Sequence, residues 1–127
     1  MRMINYLTLG SNDIARSRGF YDAIMAPLGY RRLYSDESMV GYGADRPVVY
    51  LMKPYDGAPA SNGNGTMISL AAPSRMAVDA FHAAALQAGG KDEGAPGIRA
   101  SVHENFYAAY TRDPDGNKLS AVCETSA

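Results

Sequence analysis

The sequence predicts an α+β chain made of two tandem βαβββ modules that together form a cupped mixed β-sheet. Three observations predict it. An alternating strand-like run is followed at once by a capped amphipathic helix and three short strands. The same order starts again near Thr66. Between the two lies a connector, KPYDGAPASNGNG (53–65), poor in large apolar residues and dense in Gly, Pro, Asn and Ser.

In the first module, Ile4-Asn5-Tyr6-Leu7-Thr8-Leu9 alternates and reads as a strand. Gly10-Ser11-Asn12-Asp13 supplies a helix start, with Ser11 or Asn12 as the expected N-cap. Ile14, Tyr21, Ile24, Met25 and Leu28 share one helical face, and Gly29 closes the helix despite Pro27 near its end. Strands are expected at 30–34, 39–42 and 48–52. The second module opens with the strand Thr66-Met67-Ile68-Ser69-Leu70, then a helix introduced by Pro73-Ser74. Val78, Phe81, Ala85 and Leu86 mark that helix's apolar face, and Gly89-Gly90 ends it. Short strands follow at 91–94, 105–111 and 118–122. One 127-residue domain is expected, with modules at about 1–56 and about 66–127. A lone βαβββ unit cannot bury both faces of a curved sheet, so two units side by side leave a concave ligand site.

Composition narrows the function classes. A net charge of −1 gives no electrostatic case for nucleic acid or an anionic membrane. No stretch reaches the length of a membrane span, and the N-terminal run lacks a signal-peptide pattern. The single cysteine, Cys123, forbids an intrachain disulfide and fits a reducing, cytoplasmic setting. It alternates onto the helix side of its strand, as a small buried hydrophobe. No phosphate loop, dinucleotide fingerprint or zinc spacing is present.

Three segments carry a family resemblance: LGSNDIARSRGFYDAIMAPLGY, GTMISLAAPSRMAVDAFHAAALQAGG and NFYAAYTRDPDGNKLSAVC. Together they resemble the vicinal oxygen chelate superfamily of glyoxalases, bleomycin-resistance proteins and dioxygenases, over nearly the whole chain. The resemblance implies the glyoxalase/bleomycin-resistance fold and a homodimer. In metal-using members the ligands come from the first, fourth, fifth and last strands. Carried over by motif position, these fall on Tyr6, Tyr50, Met67 and Ser120. None is an ordinary ligand for a divalent cation, so no metal and no cofactor are expected.

Strand alternation gives the same orientations independently. Tyr6 and Thr8, Met67 and Ser69, and Ser120 each stand opposite aliphatic neighbours that should cover a helix. Tyr110 joins this face if DPDG is a type I turn with a glycine bulge; a loop one residue longer puts Ala109 there. Arg99, Arg112 and Lys118 can place positive charge near the mouth, or be plain solvated charges. His82 reads as a packing histidine. His103, on a loop before the seventh strand, is the best single candidate for a general acid or base, with Glu104 beside it as the other. The expected ligand site is Tyr6, Thr8, Tyr50, Met67, Ser69, His103, Tyr110 and Ser120, holding a small organic molecule. The alternative is a divergent lyase, isomerase or dioxygenase that uses His103 with tyrosine phenols, and a divalent metal only in that case.

Overall fold

A computed structural model describes residues 2–126. Within them β1 (Leu7–Gly10), α1 (Ile14–Met25), β2 (Arg31–Ser35), β3 (Met39–Gly43) and β4 (Val49–Met52) form the first module. The second comprises β5 (Ile68–Ala71), α2 (Arg75–Gln87), β6 (Lys91–Ile98), β7 (Tyr107–Arg112) and β8 (Lys118–Cys123). The two four-stranded sheets have matching orders, β1-β4-β3-β2 and β5-β8-β7-β6. In each, the first and last strands of the module pair parallel and the remaining pairs are antiparallel. This is the duplicated βαβββ plan expected from the sequence.

Local details differ from the sequence expectations for physical reasons. Asp13, not Ser11 or Asn12, caps α1 by accepting the Arg16 amide at 3.1 Å. Ser11 is instead buried, its hydroxyl shared with Ser17 at 2.5 Å, and the Asn12 side chain is spent on the connector. Pro27 ends α1 at Met25, and the chain tightens into a 3-10 turn over Ala26–Leu28. Leu86 is 42% exposed, outside the buried stripe of Ala77, Val78, Phe81 and Ala85. Strand β6 runs on to Ile98. It tolerates Pro96 because it is an edge strand, with register shifts on either side of Gly94.

One core serves both modules. Phe20, Tyr21, Ile24 and Met25 of α1 pack in the same cluster as Val78, Phe81 and Ala85 of α2. Leu9, Leu51, Leu70, Leu119 and Ala121 close it from the helix-facing sides of the sheets. Each large apolar side chain so buried contributes about 1.5–3 kcal/mol. Cys123, 2% exposed, belongs to the same cluster.

The DPDGN turn joins the modules. The Gly116 amide donates to the Asp113 carbonyl, with Gly116 at φ 93°, and the Asp113 amide donates to the Asn117 carbonyl. The Asp113 carboxylate, 3% exposed, accepts from the Tyr21 hydroxyl at 2.6 Å and from Asn117 Nδ2 at 2.9 Å. It also takes the amides of Asp115 and Asn117 at 2.9 Å. Asp115 receives the Arg16 guanidinium at 2.8 Å, the Asn12 amide and the Ser17 hydroxyl. Asn117 Nδ2 reaches the Gly10 carbonyl at the end of β1. A turn of the second module is thus fastened to β1 and α1 of the first.

Two buried phenols give this packing a pH limit. Burial, then the Asp113 carboxylate, raises the Tyr21 pKa well above the ordinary 10.0. Burial and the hydrogen bond to Asp22 likewise push Tyr42 upward. Both groups hold their protons more tightly folded than unfolded. Their contribution is therefore complete below about pH 10 and is lost as pH climbs toward the raised values. Urea midpoints should stay level up to about pH 9 and fall beyond it. Tyr21→Phe should make that alkaline fall shallower; an unchanged slope would count against the assignment.

Candidate functional site

The face of each sheet turned away from the helices carries the predicted site residues, in two groups. In the first module Tyr6, Thr8, Met39, Tyr50 and Met52 line a cavity of about 290 Å³. Tyr6 precedes β1 by one residue and is 58% exposed. Its ring stands edge-on to Tyr50, with centroids 5.5 Å apart at 83°. Thr8 pairs with Tyr50 in the parallel β1–β4 ladder. The Tyr50 ring lies across Gly41, where a Cβ would come within 2.7 Å of Cε1. Gly41 therefore lets the ring lie flat and shapes the cavity.

In the second module Ser120 faces Ser69 across the parallel ladder and donates its hydroxyl to Ser69 Oγ at 2.8 Å. Ser120 is fully buried. Tyr110 stands directly opposite it in the β7–β8 ladder, and Arg112 opposite Lys118. The shorter loop therefore holds, and Ala109 turns to the core instead. Two cations flank the Tyr110 ring, Arg99 at 5.3 Å and Lys118 at 5.8 Å from its centroid. Arg99 is held there by the carbonyls of Gly97 and Ala95, at 2.8 and 2.7 Å. Arg112 instead pairs with Glu93 at 3.5 Å. Met67, 42% exposed, precedes β5 by one residue, as Tyr6 precedes β1.

His103 sits apart from both groups. Its Nε2 lies 2.7 Å from Glu124 Oε1, and its ring meets Phe106 edge-on at 5.6 Å. Nδ1 accepts the Asn105 amide at 3.0 Å, so the ring proton resides on Nε2 and points at the carboxylate. Both nitrogens are engaged, which leaves no lone pair for a substrate proton. His82, by its own pairing with Asp92 at 2.9 Å, is a surface contact between α2 and β6.

The chemistry of the donor set decides how a metal would fare. The four carried-over positions offer two phenols, a thioether and a hydroxyl already bonded to Ser69. These do not fit a divalent cation, which takes carboxylate, imidazole or carbonyl donors. Among the described residues, no group of three or more His, Cys, Asp or Glu side chains is placed to hold a metal ion. Sequence reasoning missed Met39 and Met52 as cavity walls, although both alternate with core residues on their strands. It also favours plain solvated charges for Arg99 and Lys118; only the fold brings them to one ring.

The model of the Glyoxalase/Bleomycin resistance protein/Dioxygenase superfamily matches residues 3–120. Among solved structures, the chain is similar to a glyoxalase/bleomycin resistance protein from Albidiferax ferrireducens T118. The two are 38% identical with a TM-score of 0.87, over 95% of this chain and 98% of that one. A hypothetical protein from S. aureus, SA1046, is 23% identical with a TM-score of 0.71, over 96% and 94% of the two chains. A family enzyme from Burkholderia phytofirmans PsJN is 18% identical with a TM-score of 0.73, over 94% and 97%. These last two likenesses concern the fold alone. No curated protein sequence matches the chain.

Proposed function

Given that the chain belongs to the Glyoxalase/Bleomycin resistance protein/Dioxygenase superfamily, we propose that it binds a small aromatic, neutral or anionic organic molecule without a metal. The site is built from the helix-free faces of the two sheets, bearing Tyr6, Thr8 and Tyr50 on one and Met67, Ser69, Tyr110 and Ser120 on the other. The observation that carries this reading is Tyr110, opposite Ser120, with Arg99 and Lys118 against its ring. Two cations beside an aromatic wall, with no carboxylate among the site residues, favour a ligand with a π-face and negative charge. The Tyr6–Tyr50 pair supplies a second aromatic wall with hydroxyls for orientation.

The reading includes a homodimer in the cytoplasm. Tyr6 and Met67 are exposed beside β1 and β5, each an edge strand with one unpaired side, and a second copy would cover them. Light scattering should give twice the chain mass at high micromolar concentration, and a monomer mass would remove this part of the reading. Turnover through His103 is the weaker alternative, because use of Nδ1 as a base would first break the Asn105 bond.

Methionine-methyl NMR tests the ligand class. 2-Naphthoate should shift Met39, Met52 or Met67, and 2-naphthylmethylamine should do so more weakly. Tyr50→Ala should weaken naphthoate binding by about two- to tenfold, the worth of an aromatic contact. A cation bound better than the anion, or tight binding of Ni, Mn or Zn by the unaltered protein, would reject the reading.

A further inference from the structure

The geometry points to a second small-molecule site in the seam between the modules, selective for a compact apolar amine. It opens beside the face described above, shares only the edge residue Ser69 with it, and does not depend on it. A cavity of about 250 Å³ opens where the end of β3 and the start of β4 meet the free edge of β5. Its walls include Met25, Val48, Val49 and Leu70, three of them members of the shared core. Part of the backbone polarity at this edge is already satisfied. The Ala72 amide bonds to the Val122 carbonyl inside the sheet, and the outward Ala71 carbonyl is taken by the Tyr30 hydroxyl at 2.8 Å. An apolar cavity of about 150 Å³ suffices for benzene, so this one has room for a ring and a short substituent.

The mouth sets the charge. Asp45 lines the cavity and is exposed, and among the described residues its carboxylate makes no hydrogen bond or ion pair. The adjacent guanidinium does not neutralise it. Arg46 is directed to the carbonyls of Ile4, Asn5 and Pro47. An apolar pocket under a single uncompensated carboxylate selects a molecule with an apolar body and one cationic end. The second module's face has the opposite preference, so the two sites would sort ligands by charge.

Benzylamine is the probe, with benzyl alcohol and benzoate as neutral and anionic counterparts, followed through the Met25 methyl resonance. Met25 lines this cavity, whereas Met39 and Met52 line the other, so each site has its own reporter. Benzylamine should shift Met25 saturably, with a dissociation constant on the order of millimolar for so small a molecule. Benzyl alcohol should bind more weakly and benzoate weakest. Asp45→Asn should weaken benzylamine by about three- to fivefold, as for an exposed ion pair, and leave benzyl alcohol unchanged. Ala44→Trp, at an exposed position of the mouth, should block all three probes without lowering the melting temperature. The inference is overturned if Met25 responds to none of the probes, if benzoate matches benzylamine, or if Asp45→Asn changes nothing. A response confined to Met39 and Met52 would overturn it too, while leaving the aromatic-anion site standing.

Discussion

Replacing Asp113 by alanine is expected to cost about 4 kcal/mol of folding free energy, a large share of the about 5–15 kcal/mol that keeps a domain folded. The carboxylate is 3% exposed and accepts four hydrogen bonds, from Tyr21, Asn117 Nδ2 and the amides of Asp115 and Asn117. Removing it strands the donors in a place that water reaches poorly. Tyr21→Phe should cost less, about 1.5–3 kcal/mol, because one bond to a charged acceptor is lost and the others survive. The two substitutions should be strongly non-additive in urea unfolding, with a coupling of about 1 kcal/mol or more. Asp113→Asn should fall between, since one amide oxygen remains an acceptor while the NH₂ group faces donors. A loss below about 1 kcal/mol for Asp113→Ala would show that the turn does not fasten the modules.

This latch marks the limit of what the sequence made legible. The turn itself was readable, because Pro114 and Gly116 specify its backbone and the two-residue strand period then puts Tyr110 opposite Ser120. Its partner was not. Tyr21 lies 92 residues away, and nothing local in the helix distinguishes a buried phenol that serves a carboxylate from one that merely packs. The α1 cap shows the same thing at short range. Ser11, Asn12 and Asp13 are all good caps, and the bonds of Ser11 to Ser17 and of Asn12 to the connector left Asp13 for the helix. Strand alternation sorted Ser69, Ser120 and Thr8 from the aliphatic core set correctly. His103 needed the fold, because Glu124 is remote in sequence and the Asn105 amide that fixes the tautomer is a backbone group with no side-chain signature.

Restoring acid and imidazole at the carried-over positions should create a metal site where the natural side chains offer none. The variant is Tyr6→His, Met67→His and Ser120→Glu, which supplies two imidazoles and a carboxylate. Without metal it should be less stable than the unaltered chain, because Ser120 is fully buried and bonded to Ser69, and glutamate there adds volume and an ill-partnered charge. Lys118 and Arg99, near Tyr110 across the ladder, should keep that penalty from preventing folding. Adding Ni, Mn or Zn should then raise the melting temperature, corresponding to about 2.7 kcal/mol at a hundredfold excess over the dissociation constant. The unaltered protein should not respond. The dependence on protein concentration separates two geometries. If the imidazole introduced by Tyr6→His and the carboxylate introduced by Ser120→Glu converge within one chain, the metal-induced shift is independent of concentration. If they converge only between two copies, it grows with concentration as the dimer is stabilised. A metal response from the unaltered chain would overturn the metal-free reading. Silence from both proteins would mean that Tyr6, Met67 and Ser120 never meet, and the two halves of the proposed site would have to be treated as separate surfaces.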